Sequence, residues 1–250
     1  MAKGEEKTLK DFGVSVDEIK KSFETIIAGK ANLSALKQIF NVAINDLSHF
    51  PNINNANSYT NYLERWVKSY SDAMTNLPSK RTANPKTSCS DPAVKTLVQY
   101  VTKVDDDTAE LQSKHHNLFM SAENVQGGLL EEYINSVVSH YGWYWCAGNV
   151  MRSIDFCSSD GTLLQVKNKS NTENSSSSAI RSGTPIIKWY RLGTKSVSGK
   201  KVPDYKWATL NDIINTHSSI KSDHCFMSEK GYQSFLAATA KNNPNIITKE

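Results

Sequence analysis

The chain of 250 residues has no run of eighteen apolar residues, so a membrane-spanning helix is not expected. Its first residues, Met1-Ala2-Lys3-Gly4-Glu5-Glu6-Lys7, lack the apolar stretch of a secretory leader, and no such signal is expected there. Cysteine is scarce. Cys89, Cys146, Cys157 and Cys225 lie far apart and form no Cys-x-x-Cys pair. That spacing argues against a structural zinc site or a disulfide framework, and for a reduced, intracellular protein. Charge of one sign is lacking too: 29 Lys+Arg face 25 Asp+Glu, a formal net charge of +4. Such a balance neither demands nor excludes nucleic acid, because a local basic groove decides more than the total. No internal repeat is present.

The length is enough to bury a real core in one large or two small domains. Two textures meet between residues 115 and 122, and we place the boundary at 118: residues 1–118 as a mainly helical region and 119–250 as a second unit. In the first, residues 16–47 read as one or two helices. Tyr59, Tyr62, Leu63, Trp66, Val67, Tyr70 and Met74 make one apolar stripe at helical spacing, suited to a core. Asp91-Pro92 reads as an N-cap with proline in the first turn, leading a helix through Leu97, Val98, Val101 and Val104. In the second unit the period changes. A helix over Gln126 to Ser139 precedes short strand-like runs at Trp143 to Cys146, Ser153 to Phe156 and Thr162 to Lys167. A polar tract follows from Asn168 to Ser178. A strand over Ile186 to Leu192 and helices over Thr209 to Ile214 and Lys230 to Lys241 complete the chain. The fold class expected is α/β or α+β, with an added helical region.

The stretch from Arg152 to Lys167 carries the chemistry. Asp160-Gly161 supplies a hairpin turn, since glycine adopts positive φ at little cost. Side chains alternate along a strand, so Leu164 and Val166 face one side and Gln165 and Lys167 the other. Ile154 and Phe156 point opposite to Asp155. The hairpin then gathers Asp155, Gln165 and Lys167 on one polar face, with the other face in the core. Cutting a phosphodiester needs a hard divalent cation on oxygen ligands, an activated water and a stabiliser of negative charge. Asp155 is the candidate carboxylate ligand, with the Gln165 side-chain oxygen and the Val166 carbonyl completing the site. Lys167 is placed to orient or deprotonate the water, or to stabilise the phosphate. In the preceding helix, Leu129, Leu130, Tyr133, Ile134, Val137 and Val138 form the apolar stripe. Glu131 lies at its border and Glu132 points roughly to solvent. We therefore prefer Glu131 as a further carboxylate. Gly127-Gly128 would admit the close approach of another backbone or of DNA.

Glu131, Asp155 and Gln165-Val166-Lys167 together resemble the core of the PD-(D/E)xK nuclease superfamily. The strings Gln126-Gly-Gly-Leu-Leu-Glu-Glu-Tyr-Ile134, Arg152-Ser-Ile-Asp-Phe156 and Gln165-Val-Lys-Asn168 resemble type II restriction endonucleases. With Asn171-Thr-Glu-Asn-Ser-Ser-Ser-Ser178, Ile180-Arg181, Gly183-Thr184 and Lys188-Trp189 the likeness is to SinI-type enzymes, over roughly residues 120 to 215. Ile154 stands where the superfamily name has proline. Gln165 stands where an acidic residue is usual, which keeps an oxygen ligand but removes a charge; Glu131, Glu132 or Glu173 remain candidates for supplying it.

The resemblance implies a restriction-endonuclease-like mixed central sheet flanked by helices, with 119–250 as the PD-(D/E)xK nuclease core and 1–118 clasping DNA, dimerising or supporting it. It implies a Mg2+-dependent endonuclease on double-stranded DNA, leaving 5′-phosphate and 3′-hydroxyl ends at a short G/C-rich site of the GGWCC kind. A homodimer, a cognate DNA methyltransferase and a bacterial cytoplasmic setting are implied with it, and no membrane. A restriction enzyme must place polar side chains near base edges. Asn171, Glu173, Asn174, Ser175, Ser176, Ser177 and Arg181 are the candidates. Lys188 belongs to a basic stretch, with Lys169, Arg191, Lys195, Lys200 and Lys201, able to follow the phosphates. Two other readings stand beside this one: a repair or mobile-element nuclease of the same superfamily, and a non-catalytic DNA-binding protein in which Gln165 marks a lost metal site. His115-His116, and His217 with His224 and Cys225, are not expected to bind metal. Neither Cys157 nor Cys225 sits in a nucleophile pattern.

Overall fold

The computed structural model describes residues 6–83, 92–169, 183 and 185–247. The first part is helical. A short ribbon pairs β1 (Glu6–Lys7) with β2 (Ile53–Asn54). Around it lie α1 (Val16–Ile27), α2 (Ser34–Ala43) and α3 (Tyr59–Thr75). Ser15 and Glu18 form a reciprocal capping box at the start of α1, and Ser58 caps α3, so orphan N–H groups are satisfied where each apolar stripe begins. The stripes meet in an aromatic cluster. Phe23 stacks on Phe40 at 3.8 Å, and Trp66 meets both edge-on at 5.9 and 6.1 Å. Tyr62, Leu63, Trp66, Val67 and Tyr70 are buried, so the expected stripe is core.

Helix α4 (Pro92–Thr102) ends two residues before its apolar pattern, because Lys103 turns left-handed at φ 58° and Asp105 caps the next helix. Its expected cap, Asp91, lies outside the described residues. Helix α5 (Asp106–Val138) runs for 33 residues, starting twenty residues before the helix read from periodicity. Its first half has a weak apolar stripe, so period alone does not reveal it. It passes without a break through residue 118.

A five-stranded sheet follows: β3 (Trp143–Trp145), β4 (Phe156–Ser158), β5 (Leu163–Lys169), β6 (Ile187–Val197) and β7 (Lys200–Tyr205), in that spatial order. Pairing is antiparallel except between β5 and β6. It is thus the mixed sheet expected, with β7 an addition: its Pro203 and three charged residues hide the strand pattern, and Pro fits there because the strand is at the sheet edge. Helices α6 (Trp207–Thr216) and α7 (Glu229–Asn242) close the fold. No helix of the described residues is long and apolar enough to cross a membrane.

The two parts share one core. Trp66 Nε1 donates to the Val150 carbonyl at 2.7 Å, and Ser69 Oγ to the Gly148 carbonyl at 2.8 Å. Arg152 N donates to the His49 carbonyl at 2.7 Å. The helical part thereby fixes the loop that leads into Asp155.

Candidate active site

Asp155 sits just before β4, held by backbone on both sides. Its carbonyl accepts from Cys146 N at 2.8 Å, and its N–H donates to the Leu164 carbonyl at 3.0 Å. Phe156 pairs with Leu164, so Asp155 stands beside Gln165 in the ladder. The strand expected over Ser153 to Phe156 begins only at Phe156 and runs on to Ser158, since Ser153 is left-handed at φ 61°. The turn is as expected: Gly161 N donates to the Ser158 carbonyl at 3.1 Å, with Gly161 at φ +92°. Asp160 accepts from Ser158 and Thr162 and meets His217 Nδ1 at 2.8 Å. Burial opposes its charge, but these bonds outweigh burial and hold its carboxyl well below the usual range. His217 is thus a clasp on the hairpin turn.

The Asp155 carboxylate accepts the Val166 backbone N–H at 2.7 Å. Gln165 is 3% exposed, and its Oε1 has no hydrogen-bond partner among the described residues. The face expected to be polar is therefore largely covered. An unpartnered buried acceptor costs about 1–3 kcal/mol, and it lies where a cation would relieve it. Glu131 comes from α5, and its Oε2 accepts the Trp145 Nε1–H at 3.0 Å. Burial and then the Asp155 charge push the Glu131 carboxyl well above its usual range, against the Trp145 bond and the Lys167 charge. Asp155 and Lys167 are thus near enough to Glu131 to act on its charge. Among the described residues no three His, Cys, Asp or Glu side chains gather as a metal cluster. The oxygen donors that a cation would find here are the Asp155 and Glu131 carboxylates, the Gln165 amide oxygen and the Val166 carbonyl. Such hard oxygen donors suit Mg2+.

Helix α5 runs beside the second half of β5. Asn168 Nδ2 donates to Gln126 Oε1 at 2.6 Å, and Lys169 Nζ pairs with Glu123 at 2.6 Å. A family model described as SinI restriction endonuclease matches residues 36–239. The chain belongs to the SinI restriction endonuclease family. It is 34% identical over 170 residues to the type II restriction enzyme Eco47I of Escherichia coli, covering 62% of this chain and 72% of that enzyme. It is 40% identical over 120 residues to the type II restriction enzyme SinI of Salmonella infantis, covering 46% of this chain. The matched part spans about half (51%) of the SinI enzyme's length. In this SinI-family chain the match runs through α2 and α3 as well as the sheet, so the helical part, which showed no resemblance by itself, belongs to the family's common chain.

Several expectations need correction. Glu132 is not turned to solvent. It is buried and accepts from Ser79 N at 2.8 Å and Ser79 Oγ at 2.5 Å, tying α5 to the turn at Pro78–Lys80. The approach admitted at Gly128 is that turn: a Cβ there would lie 3.1 Å from Pro78 Cβ. Arg191 is not a phosphate-tracking residue. It is 5% exposed, gives Nη1 to both Glu229 oxygens at 2.7 Å and donates Nε to Asn168 Oδ1 at 2.8 Å. Lys169 and Lys195 face Glu123 and Asp204. Lys188 lies opposite Gln165 in the parallel ladder, its ammonium 5.0 Å over the Tyr190 ring. Asn171, Glu173, Asn174, Ser175, Ser176, Ser177 and Arg181 lie outside the described residues. Cys146 and Cys225 are buried thiols: burial first, then neighbouring groups, push Cys146 well up and Cys225 to about 11. Neither is an activated nucleophile.

Trp145, Gln126 and Asn168 entered the sequence reading only as members of longer runs, and Glu229 not at all; none was given a role at the site. Each meets its partner only through the fold, and none carries a local pattern. The one available sign was Ser228-Glu229, a cap and an acid opening α7.

Proposed function

We propose that this chain is a Mg2+-dependent type II endonuclease that cuts both strands of double-stranded DNA at a short G/C-rich, near-palindromic site of the GGWCC type. The observation that supports the reading is that Asp155 and Lys167 both act on the charge of Glu131, while the Gln165 oxygen, next to Asp155 in the ladder, has no partner among the described residues. Asp155, Gln165, the Val166 carbonyl and Glu131 would hold the cation. The chemistry that a bound Mg2+ supplies is Lewis acidity toward a phosphate oxygen and a lowered pKa for water. The Val166 N–H fixes the Asp155 carboxylate in place. Trp145 keeps Glu131 aimed inward. Lys167 orients the attacking water and stabilises the charge gathering on the scissile phosphate in in-line displacement. The products are a 5′-phosphate and a 3′-hydroxyl.

Base reading would fall to the tract containing Asn171, Glu173, Asn174, Ser175, Ser176, Ser177 and Arg181, with Lys188 on a phosphate. One site per chain and two strands to cut call for a homodimer. The setting would be the bacterial cytoplasm, with a cognate methyltransferase protecting host DNA.

The test is purified protein on unmethylated phage DNA with Mg2+ or with EDTA. Discrete Mg2+-dependent bands are expected, and sequencing their ends gives the site. A smear supports a repair or mobile-element nuclease instead. Intact DNA from several sources, with folded protein, supports the non-catalytic DNA binder and points to Gln165 as the reason.

A further inference from the structure

Eight of the twelve large apolar side chains that are exposed among the described residues fall between Val94 and Met120, on α4 and the first half of α5. Helix α4 buries none of its side chains. Val94, Leu97 and Val101 recur at i, i+3 and i+7, one stripe of a helix, at 58, 65 and 73% exposure. Tyr100 beside them is 82% exposed. On α5, Leu111 and Leu118 stand two turns apart at 52 and 40%. Beside the buried Ala109, polar contacts tie this hairpin together: Lys95 Nζ meets Asp106 at 3.0 Å and Glu110 at 3.3 Å, and Gln99 Nε2 donates to Asp106 at 3.0 Å. Charges thus join the two helices while the apolar stripe is turned outward, the reverse of a hairpin built to stand in water.

We infer that the α4–α5 hairpin is the surface on which a second copy of this chain docks, the two hairpins closing into a four-helix bundle about a twofold axis. The six side chains Val94, Leu97, Tyr100, Val101, Leu111 and Leu118 at these exposures leave several hundred Å² of apolar surface, at the upper end of what a monomer shows (~300–600 Å²) and, with a polar rim, approaching the ~800 Å² per partner of a stable interface. A helical apolar stripe is self-complementary about a twofold, since each copy offers the same ridge. The inference rests on the proposed function in one respect: one cleavage centre per chain must be doubled to cut two strands.

The test is sedimentation velocity of the full chain without DNA across a concentration series, with circular dichroism and Tm as fold controls. Wild type sediments as a dimer. Leu97→Asp and Tyr100→Asp each weaken dimerisation by roughly 100-fold or more. Val197→Asp, at an exposed apolar residue outside the hairpin, leaves it unchanged. Should Leu97→Asp lose its fold, Tyr100→Asp carries the decision. The dissociated variants nick supercoiled plasmid and no longer linearise it. A monomeric wild type, or a dimer indifferent to both hairpin variants, overturns the inference. So does a hairpin variant that loses DNA affinity while remaining dimeric, which would make DNA the occupant. A wild type that dimerises through the hairpin but never cuts DNA overturns the nuclease reading and leaves this surface standing. One that cuts both strands as a monomer does the opposite.

Discussion

The Val166 backbone N–H donates to Asp155 Oδ2 at 2.7 Å, so the carboxylate before one strand is steered by the backbone of the next. No substitution at Val166 other than proline removes the bond, and alternation puts the neighbouring positions, Gln165 and Lys167, on the opposite face from the Val166 side chain. A strand residue shifted by one would reverse that arrangement.

Lys167→Ala is expected to reduce Mg2+-dependent plasmid cleavage by roughly 10²–10³-fold, the loss typical of a group that stabilises developing charge. DNA binding measured by gel shift in the absence of Mg2+ should change only a few-fold, because one phosphate contact contributes little to the whole. Cleavage at near wild-type rate would sink the assignment of Lys167.

Glu131 makes stability depend on pH with a sign opposite to that of most carboxylates. Its folded pKa lies above the ordinary value of 4.5, so the folded state holds the proton longer than the unfolded one. Stability is then full below pH 4.5 from this group, and it falls as pH rises toward the raised folded pKa. Glu131→Gln removes that slope. It should raise Tm at alkaline pH relative to wild type, change it little in acid, and abolish cleavage throughout. Thermal scans in EDTA from pH 5 to 9 check this. A wild-type minus variant difference that does not vary with pH would contradict it.

Gln165 joins stability to metal binding. Gln165→Leu removes an unpartnered buried acceptor and should stabilise the metal-free protein by about 1 kcal/mol, some 2–4 °C in Tm. The same variant should lose most of the further Tm rise that Mg2+ gives wild type. Gln165→Glu restores a negative charge at the position and should lower the Mg2+ concentration for half-maximal thermal shift several-fold. If Mg2+ protects all three proteins equally, the Gln165 oxygen is no ligand.

The sheet around the hairpin was legible because its signals are local. Asp160-Gly161 makes the turn, and alternation then orders Leu164, Gln165, Val166 and Lys167 with no further information. The stripe from Tyr59 to Met74 was legible for the same reason. Glu132 was not: a position on the polar side of a helical stripe is read as solvated, yet the turn at Pro78–Lys80 folds back over it and Ser79 takes both its oxygens. The start of α5 was hidden because its apolar residues there face outward and dilute the period. Arg191 was misread because charge in a strand looks the same whether it meets solvent or Glu229, which stands 38 residues away in the chain.

Arg191 and Glu229 lead to a prediction about the frame rather than the chemistry. The pair is nearly excluded from water, with side-chain exposures of 6 and 17%. It is extended by Trp207 Nε1 to Glu229 at 2.9 Å and by Asn168 and Gln126 as far as α5. Removing one partner strands the other charge in a poorly hydrated site. Arg191→Met should therefore destabilise the fold by about 3–5 kcal/mol, lowering Tm by roughly 2–4 °C per kcal/mol for a chain of this size. Glu229→Gln should cost less, since an amide still accepts one bond. Arg191→Met with Glu229→Leu should recover part of the loss, because two apolar groups leave no uncompensated charge. The cycle, measured by urea unfolding, decides whether the pair acts as a unit. Additive losses in the double variant would mean that Arg191 is held mainly by Asn168 and by the rings of Tyr205 and Tyr232, 5.6 and 5.3 Å from its guanidinium, with Glu229 secondary.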